Sequence, residues 1–221
     1  MESTNAGRPD SALPPPQDPS ALEDFWDRRY AGMDKLWSGQ PNAALLAEVR
    51  GLKPGRVLDV GCGEGADALW LAEQGWNVTA LDVSRVALDR AARQAERRGV
   101  TVTWLHSGLV EAELPAASFD VVSAQYPALP RTADNAAAHA LLRAVAPGGM
   151  LLVVHHPAPT AAEARAHGVD LDAYLSLPDI AGLLDSTGWR IEAHETRPRH
   201  VAEGAGAHHT EDVVLRARRL D

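Results

Sequence analysis

The residues best suited to chemistry lie in one stretch, Arg56-Val57-Leu58-Asp59-Val60-Gly61-Cys62-Gly63-Glu64-Gly65-Ala66-Asp67. A branched apolar run, Val57 to Val60, meets three glycines, and a helical pattern with Ala66, Leu69, Trp70 and Leu71 apolar then begins. This is the pattern of a buried parallel strand, a tight turn and a helix N-terminus. Glycines there permit positive φ and let a ligand approach the main chain where a Cβ would block it. The first N–H groups of the helix face whatever sits at the strand end. Asp59, two residues before Gly61, sets the charge preference, because a carboxylate repels a pyrophosphate and attracts a cation.

Two cofactor classes use such a turn. Gly61-x-Gly63-x-x-Ala66 satisfies the G-x-G-x-x-G/A pattern, and Asp82 follows about 20 residues on, so the glycines alone leave a nicotinamide dinucleotide open. S-adenosylmethionine carries no phosphate and presents an ammonium and a sulfonium, which suit Asp59. The stretch LDVGCGEG, with Asp82 ending the next strand, resembles the first cofactor motif of class I methyltransferases. Cys62, inside the turn, reads as a small pocket wall rather than a nucleophile.

Composition narrows the partners. At 221 residues with 45% apolar, the chain suffices for one domain with a sizeable core, or one such domain plus a tail. No apolar run approaches the roughly 18–20 residues of a membrane span, and the polar, proline-rich start lacks the apolar centre of a secretory leader. One cysteine leaves no internal disulfide and fits a reducing cytoplasm. Net charge is −9, with basic runs no longer than Arg97-Arg98 or Arg218-Arg219, which argues against nucleic acid. The expectation is a cytoplasmic enzyme with a small-molecule substrate and no nucleic-acid or membrane partner. Oligomeric state is not written in the sequence.

Positioning elements can be placed around that turn. Residues 1–19 hold five prolines among polar residues and read as a disordered tail. Residues 20–52 read as a helical cap: a helix over 21–30 capped by Ser20, a loop over 33–42, and a helix over 43–49. Trp37 sits in that loop among Ser, Gly, Pro and Asn rather than on a helical stripe, which suits a lid over cofactor or substrate. Residues 53–221 form the catalytic domain. Strands are expected over 57–60, 76–83, 100–106, 118–126 and 150–154, then over 189–196 and 212–218. Helices are expected over 84–98, 135–146, 161–174 and 178–188. Such alternation implies a parallel sheet, and the last strand pair, joined without a helix, implies one antiparallel strand. The fold class is α/β: a single Rossmann-like domain with a seven-stranded, mostly parallel sheet and helices on both faces.

Ligands of such sheets sit at the carboxyl ends of the strands. That places Asp82 on the ribose hydroxyls with Val83 beside it, and Gln125 on the rim between cofactor and acceptor. Class I methyltransferases often carry an acid after the third strand, on the adenine amino group. Here Gly108 stands at that place, so adenine recognition falls to Ser107, Gly108 and Leu109 or to Glu111. The fifth strand delivers His155 and His156, and the 198–210 connection brings Arg199, His200, His208 and His209 back to the same rim. Histidine titrates near neutral pH and serves as base or anion clamp. His155 and His209 are the candidate bases and Arg199 the candidate anion partner, with solvated loop residues as the plain alternative. No tight histidine spacing supports a metal, and none is expected.

The order of W-S-G-x-P-N, then LDVGCGEGADALWLAEQGW, then a terminal strand pair resembles the tellurite-resistance and thiopurine methyltransferase branch over most of residues 22–219. The resemblance implies S-adenosylmethionine as cofactor and a small O-, S-, N- or chalcogen nucleophile as acceptor. It places Asp59, Gly61, Cys62, Gly63, Asp82, Val83 and Gln125 on the cofactor side and Trp37 in the lid. The competing readings are a non-catalytic module that binds S-adenosylmethionine or its product, and a NAD-dependent oxidoreductase, which Asp59 disfavours.

Overall fold

The computed structural model describes residues 16, 18–166, 170–201, 204 and 207–220. Most of the tail expected over residues 1–19 lies outside them. Pro19 is an exception: it opens helix α1 (Pro19–Ala31), where Asp18 accepts a hydrogen bond from the Ala21 N–H at 3.2 Å. Proline suits a first helical turn because its missing N–H would be unpaired there anyway.

Seven strands form one sheet in the order β3-β2-β1-β4-β5-β7-β6. They are β1 (Arg56–Val60), β2 (Asn77–Asp82), β3 (Thr103–His106), β4 (Phe119–Gln125), β5 (Val145–His155), β6 (Trp189–Pro198) and β7 (Glu211–Arg219). The first five run parallel, and β7 lies antiparallel to both β5 and β6. Strand order reverses between β1 and β4, which opens a crevice at their carboxyl ends. The α/β fold with one antiparallel strand is the one the sequence implies.

Alternation along the strands builds two cores. Leu58, Val60, Val122, Ala124, Leu151 and Val153 join one buried cluster, while Val57, Val121, Met150, Leu152 and Val154 join another. Successive side chains of a strand leave on opposite faces, so both faces of this sheet are covered. Helices α5 (Ala136–Ala144) and α7 (Leu177–Gly182) pack on the first; α2 (Ala43–Val49) and α3 (Ala66–Glu73) pack on the second. Helix α4 (Arg85–Arg98) carries α1 on its outer side and is capped by the Ser84 hydroxyl. Buried Glu48 of α2 pairs with Arg197 of β6 and Arg216 of β7, tying the N-terminal cap to the last strands. Burial pushes its carboxyl pKa up, but hydrogen bonds from the two arginines outweigh that and hold it below the usual range.

Several expected boundaries move. The helix expected over 135–146 stops at Ala144, because Val145 already pairs with Phe119 and the chain crosses Pro147-Gly148-Gly149 as a bulge inside β5. The stretch expected as helix over 161–174 is helical only as α6 (Ala161–Ala166). A 3-10 turn (Leu171–Ala173) capped by Asp170 and a bridge between Tyr174 and Pro130 follow, with 167–169 outside the described residues. The helix expected to reach Gly188 ends at Gly182. Asp185 accepts from the Thr187 and Gly188 N–H groups at 2.9 and 2.8 Å, which closes a turn instead. The third strand starts at Thr103 rather than residue 100.

Candidate functional site

A cavity of about 580 Å³ opens at the carboxyl ends of β1, β2 and β4. Trp37, Asp59, Gly61, Cys62, Gly63, Asp82, Val83, Ser107, Gly108, Leu109, Gln125 and Arg199 all line it; His155 and His209 do not. Its size falls in the range of cofactor and small-molecule sites, about 300–1,000 Å³.

The glycine turn forms because its backbone must leave β1 and fold straight into α3. Gly61 and Gly63 adopt φ of 71° and 53°, and the Gly61 and Cys62 N–H groups donate to the Leu81 carbonyl at 2.9 and 3.0 Å. Asp82 then clamps the turn from β2. One carboxyl oxygen accepts from the Gly63 N–H and the other from the Ser84 N–H, both at 2.8 Å. Burial raises the pKa of Asp82. The same burial raises that of the Cys62 thiol, which keeps it protonated and fits its role as a wall.

Asp59 is 2% exposed. Its carboxyl takes the Ala68 backbone N–H, yet Oδ2 is buried with no hydrogen-bond partner. Burial, then Asp67 and Asp82, push its pKa well above the ordinary value. Asp67 is engaged by Asn42, from the backbone at 2.7 Å and the side-chain amide at 2.8 Å. Asp59 lies in register with Ser123 of β4, whose hydroxyl takes the Gln125 amide at 2.9 Å. Gln125 Oε1 is likewise buried and partnerless. Three acids and an unpaired amide oxygen therefore meet at one strand end.

The N-terminal cap closes over this turn. Glu64, 8% exposed, accepts from the Leu36 and Trp37 N–H groups at 3.1 and 3.3 Å and from Arg90 at 2.9 Å. Arg90 also donates to the Tyr30 and Met33 carbonyls. Trp37 Nε1 donates to the Tyr30 hydroxyl at 2.9 Å, and a Cβ on Gly63 would come 2.7 Å from that hydroxyl. Glycine is therefore required here twice, by φ and by the Tyr30 hydroxyl. Beside Val83, the Glu111 carboxyl lies where a Cβ of residue 108 would stand, so an acid reaches that place from three residues on.

The opposite corner is built from side chains. The Tyr126 hydroxyl donates to Asp212 Oδ1 at 2.9 Å. Arg199 Nε donates to the Tyr126 oxygen at 3.0 Å and stands 3.4 Å from Asp212 Oδ1. The His156 ring lies between Tyr126, at 4.3 Å and 23°, and His209, at 3.6 Å and 13°. Its Nδ1 is buried, without a hydrogen-bond partner, 3.7 Å from Asp212 Oδ1. His156 lines the cavity. Adjacent residues of an extended chain leave on opposite sides, so His155 does not; burial, then the neighbouring His156, lower its pKa. Burial, then His156 and His208, lower that of His209 to about 4. Burial, then Asp212, raise that of the Tyr126 phenol. Among the described residues no three His, Cys, Asp or Glu side chains group as metal ligands would.

Sequence spacing did not reveal Tyr30, Glu64, Asp67 or Asp212 as parts of this site. Asp212 left a signal: it is a buried acid in the alternating run Asp212-Val213-Val214-Leu215.

Sheet order and glycine turn together define a Rossmann-like α/β fold with its cavity at the carboxyl ends of the strands. Residues 57–149 match the family described as "Methyltransferase domain". An uncharacterized methyltransferase of Mycobacterium tuberculosis is 38% identical over 130 residues, 58% of this chain and 64% of that relative. The 2-heptyl-1-hydroxyquinolin-4(1H)-one methyltransferase of Mycobacteroides abscessus is 39% identical over 89 residues, 36% of this chain and 39% of that protein. A solved structure described under "Conversion of a Disulfide Bond into a Thioacetal Group during Echinomycin Biosynthesis" is 28% identical with a TM-score of 0.70. It covers 90% of this chain and 93% of its own. The chain thus spans under two thirds of the curated relatives it matches. No described helix is long and apolar enough to cross a membrane.

Proposed function

We propose that this protein is an S-adenosylmethionine-dependent methyltransferase acting on a small molecule. Asp59 Oδ2, buried at the strand end without a partner, is the observation that carries the reading. A buried acceptor without a donor is costly, by about 1–3 kcal/mol or more when charged. A pyrophosphate would add negative charge beside Asp59, Asp67 and Asp82, whereas an ammonium brings opposite charge and donors together. Gln125 Oε1 offers a second acceptor on the same rim.

The remaining contacts follow from placement. Asp82 keeps lone pairs for ribose hydroxyls beyond the two N–H groups it already accepts. Glu111 stands for the adenine amino group in place of an acid at 108, and Trp37 with Tyr30 covers the turn. When bound, the cofactor supplies a methyl carbon on a sulfonium leaving group. The protein contributes alignment and exclusion of water; alignment alone is worth up to about 7–11 kcal/mol. The net charge of −9 and the resemblance to the tellurite-resistance and thiopurine branch favour a small acceptor over a nucleic acid.

Calorimetric titration with S-adenosylhomocysteine and, separately, with NAD tests the reading. Binding of the first and not the second is expected. Binding of NAD alone would overturn it, and cofactor binding without transfer to any phenol, thiol or oxyanion would favour the binding module.

A further inference from the structure

We propose that the corner formed by Tyr126, His156, Arg199 and Asp212 is the acceptor subsite, that it takes the hydroxyl of an apolar molecule, and that His156 removes the hydroxyl proton with Asp212 as its positioning residue. This inference rests on the cofactor reading above.

Geometry singles out His156. The ring is clamped face to face between Tyr126 and His209, so its nitrogens act in a fixed plane. Nδ1 points to the Asp212 side and is buried; Nε2 is the nitrogen left to meet a ligand. At 3.7 Å the Asp212 contact is outside hydrogen-bond range, and such contacts commonly tighten when substrate binds. Other candidate bases fall away: His155 and His209 lie off the cavity, and the Tyr126 phenol already donates to Asp212.

Charge and polarity decide the acceptor class. The groups facing His156 are Asp212, Arg199, Tyr126, His155 and His209. Arg199 and Asp212 lie 3.4 Å apart, both buried, so their charges offset each other. An oxyanion would need an excess of positive charge there, and an ionised thiolate would need no base. A neutral hydroxyl fits, since it keeps its proton at neutral pH. The adjoining wall, Pro127, Ala128, Leu129, Pro130 and Ala137, is apolar and suits a hydrocarbon or aromatic body. In the step, the acceptor O–H bond breaks and its proton forms a bond to Nε2. The electron pair stays on oxygen for the new oxygen–carbon bond, the departing sulfur keeps the pair of the bond it loses, and the imidazolium later yields its proton to water.

Two phenols of different acidity separate a base from a structural residue. Wild type, His156→Gln and Asp212→Asn are assayed at about pH 8 with 4-propylphenol, with 4-nitrophenol (already ionised there) and with benzenethiol. His156→Gln is expected to lower kcat on 4-propylphenol at least ~100-fold and on 4-nitrophenol less than ~5-fold. Its affinity for S-adenosylhomocysteine should stay within about two-fold of wild type. Nitrogen-15 NMR of wild type should show His156 as the Nδ1–H tautomer, shifting to Nε2–H in Asp212→Asn. Equal losses on both phenols, or one tautomer in both proteins, overturn the roles of His156 and Asp212. Transfer to benzenethiol alone, or to none of the three while S-adenosylhomocysteine binds, overturns the hydroxyl assignment. Wild type that fails to bind S-adenosylhomocysteine takes down the cofactor reading instead.

Discussion

Around Gly61 the cavity is held largely by main chain, with both Asp82 oxygens bonded to backbone N–H groups; around His156 it is held by side chains stacked on side chains. In the first half, the glycine turn and its Asp82 clamp come from residues 59–84, within two consecutive strand–turn units. The second is assembled across the fold: Tyr126 meets Asp212 from 86 residues away, and Arg199 meets Tyr126 from 73. A half fixed by backbone serves one shape of ligand, because moving it means refolding the sheet. A half fixed by side chains can change acceptor with a few substitutions while the sheet stays as it is.

The sharpest way to break this contrast is Asp59→Asn. Losing the charge opposite a buried ammonium should cost about 3–5 kcal/mol, at least ~100-fold in S-adenosylhomocysteine affinity by calorimetry. The same variant should be more stable than wild type without ligand. Burial raises the Asp59 pKa when folded, so between its unfolded and folded pKa the native state holds more protons. Wild-type stability therefore falls as pH rises through that window, and the asparagine variant should lose this slope in urea melts taken from acid to neutral pH. Unchanged affinity would remove the cation from the pocket.

Smaller effects sharpen the same boundary. Glu64→Ala removes the acceptor shared by Leu36, Trp37 and Arg90. The cap should open by about 2–3 kcal/mol, read as faster hydrogen exchange at Leu36 and Trp37 with the sheet still protected. Glu111→Ala should weaken S-adenosylhomocysteine about 5- to 10-fold but leave its inosine analogue, which lacks the adenine amino group, unaffected. Equal losses for both would mean that Glu111 only shapes the wall. Outside the cavity lining, Asp179→Asn should cost about 1 kcal/mol at neutral pH. Its carboxyl pKa is held low, chiefly by the Arg131 hydrogen bonds, so its contribution is present above the ordinary carboxylate range and fades as pH falls through the folded value. That slope is opposite in sign to the one at Asp59.

Legibility in the sequence followed the same division. Val57 to Val60, three glycines and Asp82 speak through spacing, and periodicity located every strand and the antiparallel ending. Element ends were less readable where local hydrogen bonds decide them, as at Asp185, or where a strand pairs early, as at Val145. At the acceptor corner spacing carried little. His155 and His156 are equal as letters, and only the register of β5 decides which ring meets Asp212. Glu111 was readable as an alternative to Gly108, but its carboxyl filling that gap depends on the loop between them.

One measurement bears most directly on the Asp59 pocket: a double cycle between wild type and Asp59→Asn on one side, and S-adenosylhomocysteine and its deamino analogue on the other. The account predicts that removing the amino group costs wild type at least ~100-fold in affinity and costs the variant almost nothing, because the group has already lost its partner. Equal losses in both proteins would place the ammonium elsewhere and contradict the account.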